Sequence, residues 1–161
     1  IQDTRCELHA TDISKAALSI AKWNVEQNDV TDMITFHEGS LIGPIEKFFR
    51  EADEIILVAN LPYLSEIIYA SADDDVKRYE PENALLSGGD GLDHYREFFS
   101  SIKGTLSSLP TYRLRVLCEI SPEQDTAITR LFDDTFPEGH SEILPDISGR
   151  SRVLFFLVNK G

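Results

Sequence analysis

Cysteine, methionine and tryptophan are scarce in this chain of 161 residues, which holds two, one and one of them respectively. Cys6 and Cys118 stand far apart on apolar runs. They read as reduced core thiols and exclude a disulfide framework. No window approaches ~18 uninterrupted apolar residues, which excludes a transmembrane helix. The histidines His9, His37, His94 and His140 lack His-x-His or His-Glu-x-x-His spacing, so no metal site is expected. They read as surface or strand-end residues. Positive charge is short as well: 15 Lys+Arg face 28 Asp+Glu, a net charge of −13. Such a surface repels phosphate backbones and argues against a broad, nonspecific grip on nucleic acid, though not against a local basic patch. An initiator Met is absent too, since the chain opens at Ile1 and its one Met is Met33. The chain reads as a piece of a longer protein, with any targeting segment outside it.

What is present is an ordinary globular balance, 42% hydrophobic and 27% charged residues. It suits one domain over residues 1–161 with a real core. Strand-like and helix-like segments alternate. Residues 7–11 predict a strand ending at Asp12. Ser14 is a good N-cap, Ile13 and Leu18 occupy hydrophobic-staple positions, and Ala17, Leu18, Ala21 and Val25 carry a helix to about residue 27. Residues 33–37 predict a strand, 39–44 a loop and 45–51 a turn or two of helix. The apolar run at 54–59 predicts a strand buried on both faces. Residues 64–90 read as irregular and acidic, with Asp73-Asp74-Asp75 as a solvated bend. A helix is expected at 91–108, a strand at 113–120, and a helix begun by Pro122 and capped by Ser121 to about residue 136. Residues 142–144 and 152–158 predict two late strands. This alternation implies an α/β sheet with helices on both faces and an antiparallel pair at its end. Ligands in such folds bind beyond the carboxyl ends of the strands.

Two strand ends carry chemistry. Asp12 precedes a capped helix, where a carboxylate can accept two hydrogen bonds from a ribose diol. A surface Asp favoured by the helix dipole is the plainer reading. Asn60-Leu61-Pro62-Tyr63 follows the most apolar strand. Asn60 can both accept and donate, Pro62 biases Leu61 to an extended main chain whose carbonyls can point into a site, and Tyr63 offers a flat face for a planar group. A strand-to-loop turn with a core Tyr would look the same.

Asn60-Leu61-Pro62-Tyr63 resembles the Asn-Pro-Pro-Tyr-type motif of methyltransferases acting on planar, amide-like or exocyclic nitrogens. Further stretches narrow the resemblance. Glu80-Pro81-Glu82-Asn83-Ala84-Leu85 and Gly88-Gly89-Asp90-Gly91-Leu92-Asp93-His94-Tyr95-Arg96 are similar to a segment of the HemK/PrmC family. Asp12-Ile13-Ser14 with Ala17, Leu18, Ala21 and Asn24 resembles its second-strand motif. Glu119-Ile120 with Gln124, and Asp146-Ile147-Ser148-Gly149-Arg150-Ser151-Arg152-Val153, resemble its closing segments. That family methylates the side-chain amide of a glutamine in peptide chain release factors.

The resemblance implies a Rossmann-like class I methyltransferase sheet with an antiparallel last strand, S-adenosylmethionine as cofactor, a release factor as protein partner and a cytoplasmic setting. It implies Asn60 and Tyr63 as catalytic residues, Asn60, Leu61, Pro62 and Tyr63 as the substrate site, and Asp12, Ser40, Leu41 and Asn60 as cofactor contacts. The family usually has Pro where Leu61 stands, a change that keeps the carbonyl acceptor and loses rigidity. It tends to carry an acidic or aromatic residue where Gly39-Ser40-Leu41 stands. Its glycine-rich loop should precede Asp12 by some twenty residues, yet residues 1–6 hold no glycine. The first strand and helix of the fold, the strand lying between 7–11 and 54–59, are therefore expected to be missing, so that the resemblance implies residues 1–161 as a C-terminal portion of the catalytic domain. Gly88-Gly89-Asp90-Gly91 follows no strand and reads as a turn before a helix. Two other readings stay open. One is an adenine amino-group methyltransferase acting on rRNA or DNA, since Asn-Leu-Pro-Tyr occurs there too. The other is an inactive methyltransferase-like fragment serving as a binding module.

Overall fold

A computed structural model describes residues 6–161. Residues 1–5, where the sequence offers no glycine-rich turn, lie outside the described residues. The chain divides into two compact units between Glu51 and Ala52.

In the first unit, β1 (Leu8–Asp12) pairs in parallel with β2 (Ile34–Glu38), Leu8 against Ile34 and Asp12 against Glu38. Helix α1 (Lys15–Gln27) joins them, as a parallel pair requires. The expected cap forms, with Ser14 Oγ accepting from the Ala17 N–H at 3.2 Å. The staple does not: Leu18 is buried but Ile13 is 59% exposed. A single 3-10 turn (Glu46–Arg50) follows the loop and buries Phe49. Two of the histidines are more than strand-end residues. His9 Nδ1 and His37 Nε2 lie 3.0 Å apart across β1 and β2, and the His9 ring stacks on Phe48 at 4.0 Å. Burial, then the neighbouring His9 and Lys47, push the His37 pKa below its ordinary value.

The second unit holds a four-stranded sheet in the order β3 (Ile55–Ala59), β4 (Tyr112–Glu119), β6 (Ser151–Lys160), β5 (His140–Pro145). β3 and β4 are parallel, and β6 runs antiparallel to both β4 and β5. The expected antiparallel ending is therefore present. Ile55 and Leu57, Leu114, Val116 and Cys118, and Leu154, Phe156 and Val158 share one face by register and are buried. Helices α4 (Asp93–Ser107) and α5 (Asp125–Thr135) cover that face: Phe99 and Phe132 meet Phe156 at 5.3 and 4.8 Å between ring centroids. Each large side chain so buried stabilises the unit by roughly 1.5–3 kcal/mol before entropy is counted.

β3 departs from the sequence reading. Ile56 is 59% and Val58 81% exposed, because both long helices of this unit lie on the Leu57 side. An unbroken apolar run does not by itself tell which faces are covered. Residues 64–90 also hold more structure than expected: helices α2 (Glu66–Ser71) and α3 (Asp74–Tyr79) and a 3-10 turn (Glu82–Ala84). Asp74 and Asp75 fall in the first turn of α3, where carboxylates meet the positive end of the helix dipole. Among the described residues β1 pairs with β2 alone and β3 with β4 alone. No helix among them is long and apolar enough to cross a membrane.

Cys118 is fully buried and its thiol pKa is pushed up to about 12 by that burial, whereas Cys6 is exposed rather than a core thiol. The native chain should therefore release one equivalent rapidly with a thiol reagent at pH 8, and the second only in denaturant. His37 yields a second expectation. A histidine whose pKa is lowered on folding contributes stability above its unfolded value of ~6.5 and loses it as pH falls toward the folded value. The urea midpoint should drop between pH 7.5 and 5.5, and drop less in His37→Gln.

Candidate functional site

The first unit places three of the predicted residues at the carboxyl ends of β1 and β2. Asp12 ends β1, and its carbonyl accepts from the Gly39 N–H at 3.0 Å. Its Oδ1 accepts from the Ser14 N–H at 2.7 Å, turning the chain into the α1 cap. The other carboxylate oxygen has no hydrogen-bond partner among the described residues. That suits it to a diol. Leu41 sits at φ 50°, in the left-handed region, and its carbonyl accepts from Thr11 Oγ1 at 2.9 Å. A side chain held there costs of order 1–3 kcal/mol and needs such an anchor. Ser40 is exposed beside it. Asp12, Ser40 and Leu41 are thus brought together at the carboxyl ends of β1 and β2.

The second unit holds Asn60, Leu61, Pro62 and Tyr63, immediately after β3. Asn60 is exposed, with no side-chain hydrogen bond among the described residues. Everything behind it is fastened. The Leu64 N–H donates to Leu85 at 2.8 Å and its carbonyl accepts from Ser87 at 2.9 Å, while the Glu66 N–H donates to Gly88 at 3.2 Å. The Glu-Pro…Gly-Gly-Asp-Gly segment is therefore the strut against which the motif lies. Gly88 and Gly91 both have positive φ, 75° and 78°, in a turn leading to α4, as the sequence implied. At Gly91 a Cβ would stand 2.5 Å from the Tyr63 carbonyl oxygen and 2.6 Å from Gln124 Nε2. Only glycine fits.

Two further residues, Gln124 and Glu119, support the motif from other parts of the chain. Gln124 is buried; its Nε2 donates to the carbonyls of Tyr63 at 3.0 Å and Gly91 at 2.8 Å, and its Oε1 accepts from the Ser121 N–H at 3.0 Å. The signal for it was the Ser121…Gln124 capping box, which puts a glutamine at the third helical position. Glu119, the last residue of β4, accepts from the Tyr63 hydroxyl through Oε1 at 3.2 Å, and its backbone carbonyl accepts from the Tyr95 hydroxyl. Burial pushes the Tyr63 phenol above the ordinary tyrosine range, and the Glu119 charge adds to it. Asp90, hydrogen-bonded to Arg96 and to the Leu92 N–H, is held below the usual carboxylate range by that guanidinium.

Gln124→Leu would leave the Tyr63 and Gly91 carbonyls and the Ser121 N–H without this partner. Each buried group so orphaned costs about 1–3 kcal/mol. The urea unfolding midpoint should fall accordingly, with the change in accessible surface on unfolding, read from the slope, preserved.

No family model matches the chain. A release factor glutamine methyltransferase of Bacillus subtilis (strain 168) is 33% identical over 160 residues, 99% of this chain and 53% of that protein. One of Bacillus cereus is 30% identical over 155 residues, 96% of this chain and 52% of that protein. The chain thus spans about half the length of the curated relatives it matches. Among solved structures, the hMettl16 catalytic domain in complex with a MAT2A 3′UTR hairpin covers 94% of this chain and 54% of its own, at TM-score 0.57 and 14% identity. That likeness speaks for the fold alone. Nearly end to end, the chain is similar to the release factor glutamine methyltransferases of the HemK/PrmC family, on a class I methyltransferase fold.

Proposed function

We propose that this chain forms part of the catalytic domain of a cytoplasmic, S-adenosylmethionine-dependent methyltransferase acting on a glutamine side-chain amide of a peptide chain release factor. The observation that carries the reading is the convergence on Asn60–Tyr63 of segments far apart in sequence. Residues 85–91, Glu119 and Gln124 all fasten that motif from behind. The similarity to proteins of that name supports the same reading.

An uncharged amide nitrogen is a poor nucleophile, because its lone pair is delocalised into the carbonyl. The motif offers no strong base, so positioning carries the rate. The Asn60 side-chain oxygen and the Leu61 carbonyl accept hydrogen bonds from the glutamine NH₂, which polarises and aims the nitrogen. The Tyr63 ring walls the amide plane. Orientation of this kind is worth up to roughly 7–11 kcal/mol. In the first unit, Asp12 would hold the ribose of S-adenosylmethionine through its uncommitted oxygen, with Ser40 and Leu41 as neighbouring contacts. When bound, S-adenosylmethionine supplies an electrophilic sulfonium methyl group.

The adenine reading shares the motif, and the −13 net charge stands against it. A methyl-transfer assay of the full-length protein on release factor and on rRNA separates the two, and cofactor calorimetry separates an enzyme from a binding module. Asn60→Ala should abolish transfer to the release factor while leaving cofactor affinity nearly unchanged, because Asn60 serves mainly the substrate amide and Asp12 carries the larger share of the cofactor contact. Asp12→Ala should instead weaken cofactor binding first, by roughly 1–3 kcal/mol for lost charge-assisted hydrogen bonds. Normal turnover by Asn60→Ala would reject the mechanism.

A further inference from the structure

We propose that Glu119 is a positioning residue of the Asn60–Tyr63 site: it locks the Tyr63 hydroxyl, so that the ring face and not the hydroxyl meets the substrate. The inference rests on the reading of Asn60–Tyr63 as the amide site. Tyr63 is held at both ends. Its carbonyl accepts from Gln124 Nε2, and its hydroxyl donates to Glu119 Oε1 at 3.2 Å, 56 residues away in sequence. A ring anchored on both sides keeps one orientation.

Glu119 is itself fixed from three directions. The Tyr95 hydroxyl, on a fully buried side chain, donates to its carbonyl. Strand pairing sets it opposite Val153, and the Ile120 N–H donates to the Arg152 carbonyl at 2.9 Å. That register brings the Arg152 guanidinium to 3.9 Å from Glu119 Oε1 and 3.8 Å from Asp146 Oδ2. Asp146 in turn closes the β5–β6 hairpin, accepting from Ser148 N–H at 2.8 Å and Arg150 N–H at 3.1 Å. The chain of contacts runs from the hairpin tip to the site. With its hydroxyl committed, Tyr63 recognises a flat neutral group by packing.

The charges facing the phenol are Glu119 and Glu80, which raise its pKa, and Arg152, which lowers it. The chain labelled with ¹³Cζ-tyrosine, with the Tyr63 signal assigned through Tyr63→Phe, reads this directly by NMR titration. Tyr63 should titrate above the ordinary ~10 of tyrosine. Glu119→Gln, which keeps an acceptor oxygen and drops the charge, should move the titration down, and Arg152→Met should move it up. An unmoved Tyr63 in either variant overturns the proposal, and Arg152→Met alone decides it should Glu119→Gln fail to fold. In the full-length enzyme, Glu119→Gln should lower kcat on the order of tenfold to a hundredfold with cofactor affinity kept. That loss should vanish in a Tyr63→Phe background, and losses that multiply in full would also overturn the proposal. Opposed titration shifts in a protein that fails to methylate glutamine would uphold the positioning and reject the proposed function.

Discussion

The buried side-chain amide of Gln124 joins three stretches of chain that share no sequence neighbourhood. Its two N–H groups go to the Tyr63 and Gly91 carbonyls and its oxygen to the Ser121 N–H. A glutamine can make these bonds in one geometry only, because donor and acceptor sit on opposite sides of a planar group. The strand-end motif, the glycine turn and the start of the last helix are therefore set relative to one another by a single side chain. Gly91 follows from this, since any Cβ there would stand where the Tyr63 oxygen and the Gln124 nitrogen are. So does the left-handed turn that starts α4.

That fastening gives the motif its contrast. Behind Asn60 the described backbone and side chains find partners, from the Leu64–Leu85 pairing to the Tyr63–Glu119 bond. Asn60 itself is exposed and uncommitted. An unpaired polar group in solvent costs little, whereas the same group on a rigid frame is ready to bind without further ordering. Asp12 repeats the arrangement on a smaller scale, with one oxygen spent on the α1 cap and the other left over.

Much of this was legible in the sequence wherever the cause was local. The Ser14 cap, the Ser121-Pro122 start, the turn at Gly88–Gly91 and the antiparallel last strand depend on residues within a few positions of each other, or on one strongly apolar run. What failed depended on distant neighbours. Ile13 looks like a staple partner of Leu18 by its spacing, yet it is 59% exposed while Leu18 is buried, because spacing alone does not bring the two side chains together. Cys6 looks like a core thiol by its flanks and lies in solvent ahead of β1. Ile56 and Val58 look buried because strand composition does not report which face the helices take. Residues 64–90 look irregular because α2 and α3 are each six residues long, too short for periodicity to register. The site divides the same way: the motif residues show in the sequence, while the reach of Glu119 to Tyr63 across 56 positions does not.

A glutamine amide and an adenine amino group both present a flat, neutral NH₂ to a site of this kind, and Asn60, the Leu61 carbonyl and the Tyr63 face would serve either. Discrimination cannot come from the motif. It falls to whatever carries the target. A nucleic acid arrives with a phosphate every few ångströms, and binding it draws affinity from cations that replace its counterions. This chain has 15 cationic residues against 28 anionic ones. Several of the cations are already engaged: Arg96 with Asp90 and Asp93, Arg115 with Glu54, and Arg152 with Glu119 and Asp146. A protein substrate needs no such cations. Under the proposed reading, it is the charge balance of this chain, and not the motif, that favours the amide over a nucleic-acid target.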